Sequence, residues 1–306
     1  MLEGITYSNY STVPKETWDK AVKMILMKEG IPDEAAARFS LGANIVYKAG
    51  GSTVLKLFPP FHEDGFRAEK AVLELLGWAN VPAETPELLR SSEFEGWPYL
   101  LMSFVEGELA IERWERLDRQ EKLQYATDLG KLIRAVHRLD ASAAGPLPDE
   151  WEKFIRKQKD RLAAHHRAAG VPEHLVAEMP AYLEAADLSS KRHVLLTGEY
   201  TPFNLLMKEG ADGWRISGLI DFADCFIGNP KYDLLGPILF NFHMEEGLTA
   251  AFLEAYGLTL TDRLRRELMA LLLIHRFSDL PAYMEGSQAA READHLTDLA
   301  GVFFPW

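Results

Sequence analysis

The most constraining stretch of this 306-residue chain is residues 193–207, His-Val-Leu-Leu-Thr-Gly-Glu-Tyr-Thr-Pro-Phe-Asn-Leu-Leu-Met, with Gly-Leu-Ile-Asp-Phe-Ala-Asp following over 218–224. Short apolar runs flank a polar loop holding Glu199 and Asn204, and a second apolar run delivers Asp221. Apolar runs of this length, bounded by Gly, Pro and Thr, read as short buried strands. Two carboxylates and an amide are thereby gathered at strand ends. That donor set of hard oxygens suits a divalent cation and the phosphates it carries.

Two more charges stand where apolar residues are expected. Residues 41–48 and 52–58 read as strands joined through Ala49-Gly50-Gly51, a hairpin signal. Alternation puts Lys56 on one face with Val54 and Phe58. Over residues 64–76, Phe66, Val72, Leu73 and Leu76 mark the apolar stripe of a helix, and Glu69 lies within it. A carboxylate on a core-facing stripe needs a cation, and a lysine on a core-facing strand needs an anion. The two are therefore expected to pair. Residues 86–92 and 97–107 supply further strands, the second ending in an apolar run and then Glu106-Gly107. That run reads as a last sheet strand becoming a connector, where an adenine could use backbone groups of Ser103 to Val105.

Around this core the pattern is helical. Residues 14–28 place Trp18, Val22, Ile25 and Leu26 at helical spacing behind Pro14, a helix to pack on the first lobe. Beyond Gly107, helices are expected over 119–139, 151–169, 172–186, 245–256, 261–280 and 285–300, with Thr261 offering a cap. His137 reads as a structural histidine near a helix end, and His165-His166 as a solvated pair. Cys225, the single cysteine, reads as a small filler and allows no disulfide framework. The net charge of −13 argues against nucleic acid and against anionic lipid as partners. With no apolar span near 18 residues and no basic, apolar leader, a cytoplasmic location is expected.

Lys56, Glu69, the Glu199/Asn204 loop and Asp221, in this order, resemble the aminoglycoside phosphotransferase and choline-kinase branch of the protein-kinase-like fold. That family's loop reads His-x-Asp-x-x-x-x-Asn; here it is Thr197-Gly-Glu199-Tyr-Thr-Pro-Phe-Asn204, with the spacing from acid to amide kept. Ile220-Asp221-Phe222 and Gly228-Asn-Pro-Lys-Tyr-Asp233-Leu234 match the family's next two segments. The resemblance implies an α+β two-lobe fold, a small antiparallel-sheet lobe over residues 1–105 and a large, mainly helical lobe over 106–306. It further implies that Lys56, oriented by Glu69, holds the α/β-phosphates of ATP, that Asn204 and Asp221 ligate Mg²⁺, and that Asp233 braces the loop. Glu199 then stands where the family has its catalytic aspartate. Residues 41–46 would cover the phosphates.

The implied partner is a small acceptor with a hydroxyl group. The helical pair over 151–186 and the C-terminal helices would wall its pocket, where acidic residues could receive an amine-bearing molecule such as an aminoglycoside, a choline-like amine or an amino sugar. Protein substrates are not expected, because no Ala-Pro-Glu segment follows Asp221. Walker A, Gly-x-Gly-x-x-Gly, His-Glu-x-x-His and Gly-x-Ser-x-Gly patterns do not occur. Two departures open an alternative. Thr197 replaces the family's histidine, and Glu199 replaces aspartate, adding roughly 1.5 Å of reach. A base displaced by ~1 Å can cost ~10²-fold in rate, so a nucleotide-binding pseudokinase or scaffold is the second reading.

Overall fold

The computed structural model describes residues 1–32, 36–39, 44–145, 147 and 150–306. Its first lobe is built on an antiparallel sheet of β1 (Ala37–Arg38), β2 (Ile45–Ala49), β3 (Thr53–Leu57), β4 (Leu88–Phe94) and β5 (Trp97–Ser103), in the order β1-β2-β3-β5-β4. Gly50 and Gly51, at φ 58° and 80°, turn β2 back into β3, where Ala49 faces Thr53 and Ile45 faces Leu57. Side chains alternate across a strand, and here both faces are covered. Leu55, Leu57, Tyr99 and Leu101 pack on Trp18, Val22 and Ile25 of α1 (Lys15–Glu29). Phe58, Leu100 and Met102 face the other way, in one cluster with Val72, Leu73 and Leu76 of α2 (Glu63–Leu76). Lys56 lies on that second side, buried between the sheet and α2. Of the phosphate-covering loop expected over 41–46, residues 41–43 lie outside the described residues.

The second lobe adds β6 (Glu108–Leu109), α3 (Ala110–Arg113), α4 (Arg119–Val136), α5 (Trp151–Ala169) and α6 (Glu173–Ala185). It continues through β7 (Val194–Leu196), β8 (Leu205–Gly210), β9 (Gly213–Leu219) and β10 (Phe226–Gly228). The chain ends with α7 (Glu246–Tyr256), α8 (Asp262–Leu273), α9 (Leu280–Glu285), α10 (Gln288–Arg291) and α11 (Leu296–Phe303). An Asp118–Glu121 capping box starts α4, which buries Tyr125, Leu129, Leu132, Ile133 and Val136. The lobes are also tied by backbone, since Glu84 N–H donates to the Ser217 carbonyl (2.8 Å) and Leu219 N–H donates to Glu84 (2.9 Å). The result is the expected α+β two-lobe layout. No helix among the described residues is long and apolar enough to cross a membrane.

Three expectations are corrected. The helix expected over 261–280 stops at Leu273, and residues 274–279 form a turn before Asp279 caps α9. The helix expected over 285–300 is split, because Ser287 accepts from Ala290 N–H to start α10, and His295 with Asp298 forms a capping box for α11. Such side-chain-to-backbone bonds compete with helix continuation and leave apolar periodicity unchanged. His166 is not solvated, and His165 is half-buried. His166 is fully buried and its Nε2 lies 2.8 Å from the Leu273 carbonyl, while His165 Nε2 lies 2.8 Å from the Ser278 carbonyl. Leu273 closes α8, so its carbonyl has no partner within the helix and needs an outside donor. Burial lowers the His166 pKa, and the neutral ring with its proton on Nε2 serves that carbonyl.

Candidate active site

The pairing of β8 with β9 brings Asn204 and Asp221 together. Leu205 opposes Leu219, so Asn204, just before one strand, lies beside Ile220 and Asp221, just after the other. Ile220 N–H donates to the Asn204 carbonyl at 3.0 Å, tying the two loops together. Asp221 adopts φ 66°, a left-handed conformation that costs on the order of 1 kcal/mol or more for a residue with a side chain.

Across the seam, Lys56 Nζ lies 2.8 Å from Asp221 Oδ1 and 2.5 Å from Glu69 Oε2, with Lys56 3% and Glu69 1% exposed. Burial alone would lower the Lys56 pKa, yet Asp221 and Glu69 together raise it. Burial likewise opposes the Asp221 carboxylate, but Lys56 holds its pKa below the ordinary value. Glu69 goes the other way. Burial pushes its carboxyl up to about 7 against the pull of Lys56, and Asp221 adds to the rise. Two buried carboxylates share one ammonium, so only one of them is fully compensated. Asp221 takes the larger share.

The loop between β7 and β8 is held from behind. Asp233 Oδ2 accepts from Thr197 N–H and Asp233 Oδ1 from Gly198 N–H, both at 2.9 Å. His137, at the end of α4, places Nε2 3.1 Å from Asp233 Oδ2 and Nδ1 2.9 Å from the Tyr256 hydroxyl. Where the family motif has a histidine, Thr197 contributes backbone, and an imidazole from another helix meets Asp233 instead. Gly198 is left-handed at φ 76°, and a Cβ there would lie 2.6 Å from the Arg276 guanidinium. The chain then presents Glu199, whose carbonyl accepts from Thr201 N–H (2.8 Å) and Asn204 Nδ2 (3.1 Å). Asn204 Nδ2 also lies 3.4 Å from Glu199 Oε2, which leaves Oδ1 as the Asn204 atom suited to a cation. Burial, then Asp224 and Asp221, raise the Glu199 pKa, opposed by Arg276 and Asn204.

The remaining expected residues are less directly placed. Ser103 N–H already donates to the Glu87 carbonyl (2.9 Å), so its backbone can offer a base only an acceptor. Val105 is buried, against Gly218 of β9. Cys225 is buried with Sγ 3.8 Å from the Thr197 carbonyl, and burial raises its thiol pKa well out of the reactive range. Arg276 had no signal in the sequence pattern. It sits in the turn after α8, with Nη1 3.0 Å from Asp224 Oδ1, Nη2 donating to the Asp224 carbonyl (3.0 Å), and its guanidinium about 5 Å from the Phe226 and Phe277 rings. Ser278-Asp279 ahead of Pro281 is a helix-start pattern that marks the break in which it sits.

A small antiparallel sheet lobe, a helical lobe and a buried lysine bridging acids from both define the kinase-like fold class. The chain belongs to the phosphotransferase enzyme family, whose sequence model matches residues 41–271, and it is a small-molecule kinase by class. It is similar to an aminoglycoside 3'-phosphotransferase of Niallia circulans, 27% identical over 219 residues that cover 68% of this chain and 78% of that protein. In fold it is similar to the GDP complex of wild-type aminoglycoside 2'-phosphotransferase-IIIa, with TM-score 0.69, 16% identity and 95% and 97% of the two chains covered. It is also similar to the streptomycin–ATP–APH(2")-IIa ternary complex, with TM-score 0.64, 16% identity and 91% and 97% covered.

Proposed function

We propose that this chain moves the γ-phosphate of ATP, with Mg²⁺, to a hydroxyl group of a small molecule. The observation that carries the proposal is the meeting of Lys56 with Glu69 and Asp221 across the lobe seam, one loop away from Glu199 and Asn204. A buried lysine between two carboxylates stays charged and oriented, as a phosphate ligand must be. Lys56 holds the α/β-phosphates and Glu69 fixes its position. Backbone groups from Ser103 to Val105 border the adenine.

Asn204 Oδ1 and the Asp221 carboxylate are hard oxygen donors and fit Mg²⁺, which typically takes one or two carboxylates plus substrate phosphates. Bound there, the ion would neutralise charge developing on the transferred phosphoryl oxygens. Glu199 accepts the proton of the acceptor hydroxyl, and its raised pKa makes it a stronger base than an exposed glutamate. Asp233 and Gly198 set the loop that carries it. A cytoplasmic location, where ATP is at hand, goes with this assignment.

Calorimetry with MgATP and an acceptor panel test it. Wild type should bind MgATP, and Lys56→Ala should abolish the heat. Glu199→Gln should keep MgATP binding and lower acceptor-dependent turnover by about 10²-fold or more. Turnover indifferent to Glu199→Gln removes its role as base. MgATP binding untouched by Lys56→Ala overturns the phosphate site. Binding with no turnover of any acceptor favours the nucleotide-binding scaffold that the Thr197 and Glu199 departures leave open.

A further inference from the structure

We propose that the groove between α4 and the end of α7 binds a small, soluble, phosphate-bearing anion, at a site lined by none of the residues assigned above to nucleotide, metal or acceptor. The groove is a recess of about 350 Å³ lined by Lys131, Arg134, Ala135, Arg138 and Ala255. Lys131, Arg134 and Ala135 of α4, with Arg138 in its closing turn, stand at i, i+3, i+4 and i+7 and so share one face. The three cations are exposed. Small residues shape the recess between them. Gly130 lets the two helices touch, since a Cβ there would run into the Phe252 carbonyl. At the end of α7 the left-handed Gly257, φ 102°, leaves room for Arg134, whose Nη1 lies 2.9 Å from where its Cβ would stand.

The charges on this face call for a ligand. Among the described residues, none of Lys131, Arg134 and Arg138 belongs to an ion pair, and the exposed Glu254 beside Ala255 forms none with them. Like charges three and four residues apart destabilise a helix. Basic residues near a helix end are ordinarily explained by hydrogen bonds to its last carbonyls. Those carbonyls are served otherwise here. His137, Arg138 and Leu139 N–H donate to the Ile133, Ala135 and Val136 carbonyls, and Arg192 Nη2 donates to those of Arg138 and Leu139, both at 3.4 Å. Arg192 thereby brings a fourth cation to the same end. It and Arg134 both act on the Tyr256 hydroxyl, drawing down a pKa that burial and Asp233 raise. In a chain of net charge −13, cations gathered without a carboxylate create a local positive potential that an anion relieves. Guanidiniums match phosphate oxygens in pairs, and the two alanines leave space for such a group.

The test is a titration of the full-length, ¹⁵N-labelled protein with inorganic pyrophosphate, with EDTA present and ionic strength held constant with NaCl. Amides over residues 131–138 and 254–257 should shift saturably. Arg134→Gln and Arg138→Gln should each weaken the fitted affinity about tenfold, one charge-assisted contact's worth. Arg67→Gln, which removes an exposed arginine paired with Glu63 elsewhere, should leave it unchanged. The replaced side chains are all exposed, so the variants should melt with wild type and report the groove rather than the fold. Pyrophosphate at the nucleotide site would shift residues 198–204 and 221 instead, without regard to Arg134→Gln. Shifts confined to those residues, shifts that do not saturate, or a groove affinity indifferent to both arginine variants overturn the proposal. Sedimentation with phosphatidylglycerol vesicles in place of a pyrophosphate response would assign the phosphate to a lipid headgroup and likewise overturn the soluble ligand.

Discussion

Replacing Asp233 with alanine would strand three hydrogen-bonding groups at once. Its two oxygens accept from the backbone N–H groups of Thr197 and Gly198, both at 2.9 Å, and Oδ2 also meets His137 Nε2 at 3.1 Å. Asp233 is 3%, His137 4% and Thr197 2% exposed, so water cannot replace the lost acceptor without opening the loop. An unsatisfied buried donor costs ~1–3 kcal/mol. Three of them, partly relieved by loop movement, come to about 3–6 kcal/mol, a large part of the ~5–15 kcal/mol that holds a typical domain folded. Asparagine at 233 keeps one acceptor oxygen but sets an amide N–H against another donor, so about half the loss is expected. Urea unfolding of the three proteins measures the ranking, and hydrogen exchange at the Thr197 and Gly198 amides reports the loop directly. MgATP affinity should change little in Asp233→Asn, because Lys56, Asn204 and Asp221 are held by other contacts. An Asp233→Ala protein within 1 kcal/mol of wild type, with those amides still protected, would refute the idea that this carboxylate holds the loop.

Glu69 gives a pH prediction. Its carboxyl is raised from an ordinary 4.5 to about 7, so the folded state holds that proton more tightly than the unfolded chain does. The associated stabilisation is complete below about 4.5 and is lost as pH rises through 7. Glu69→Gln should flatten this dependence in urea midpoints taken between pH 5 and 8, and equal slopes for the two proteins would contradict it. Gly198→Ala combines a strained φ of 76° with a guanidinium 2.6 Å from the new Cβ. A loss of ~1–3 kcal/mol is expected, with faster urea unfolding, and an unchanged midpoint would show that the turn tolerates a side chain. His166→Ala leaves the Leu273 carbonyl without its donor and a void in the core. Thermal unfolding should fall by the equivalent of ~2–4 kcal/mol, with His166→Gln recovering part; an Ala variant as stable as wild type would dismiss the cap.

What was legible in the chain follows from what burial makes conspicuous. Lys56 and Glu69 stood out because a charge inside an apolar pattern demands a partner, and each was the other's only nearby answer in sequence. Their third member, Asp221, could not be joined to them from periodicity, because that contact depends on how the two lobes close and on a left-handed φ at Asp221 itself. Asn204 and Asp221 were recognisable as a pair by spacing, and the reason they meet is the register that sets Leu205 opposite Leu219.

The departures from the sequence pattern share one physical cause. Apolar spacing reports which face of a segment is buried and nothing about which carbonyls that burial leaves without donors. His165 and His166 read as a solvated pair, yet the end of α8 and the turn after it present two carbonyls that these rings serve. The same turn carries Arg276 and holds it against Asp224 and Gly198. The two features therefore share one origin. The histidines hold the chain where α8 ends, and the place where α8 ends decides that an arginine reaches Asp224 and Gly198. A sequence that continued α8 through residue 279 would redirect that guanidinium and leave Asp224 without its cation. The placement of Arg276 thus depends on a helix terminus, Leu273, that lies 39 residues beyond Leu234, the last motif residue, which is why the family motifs identify the phosphate-handling half of this site and are silent on the other half.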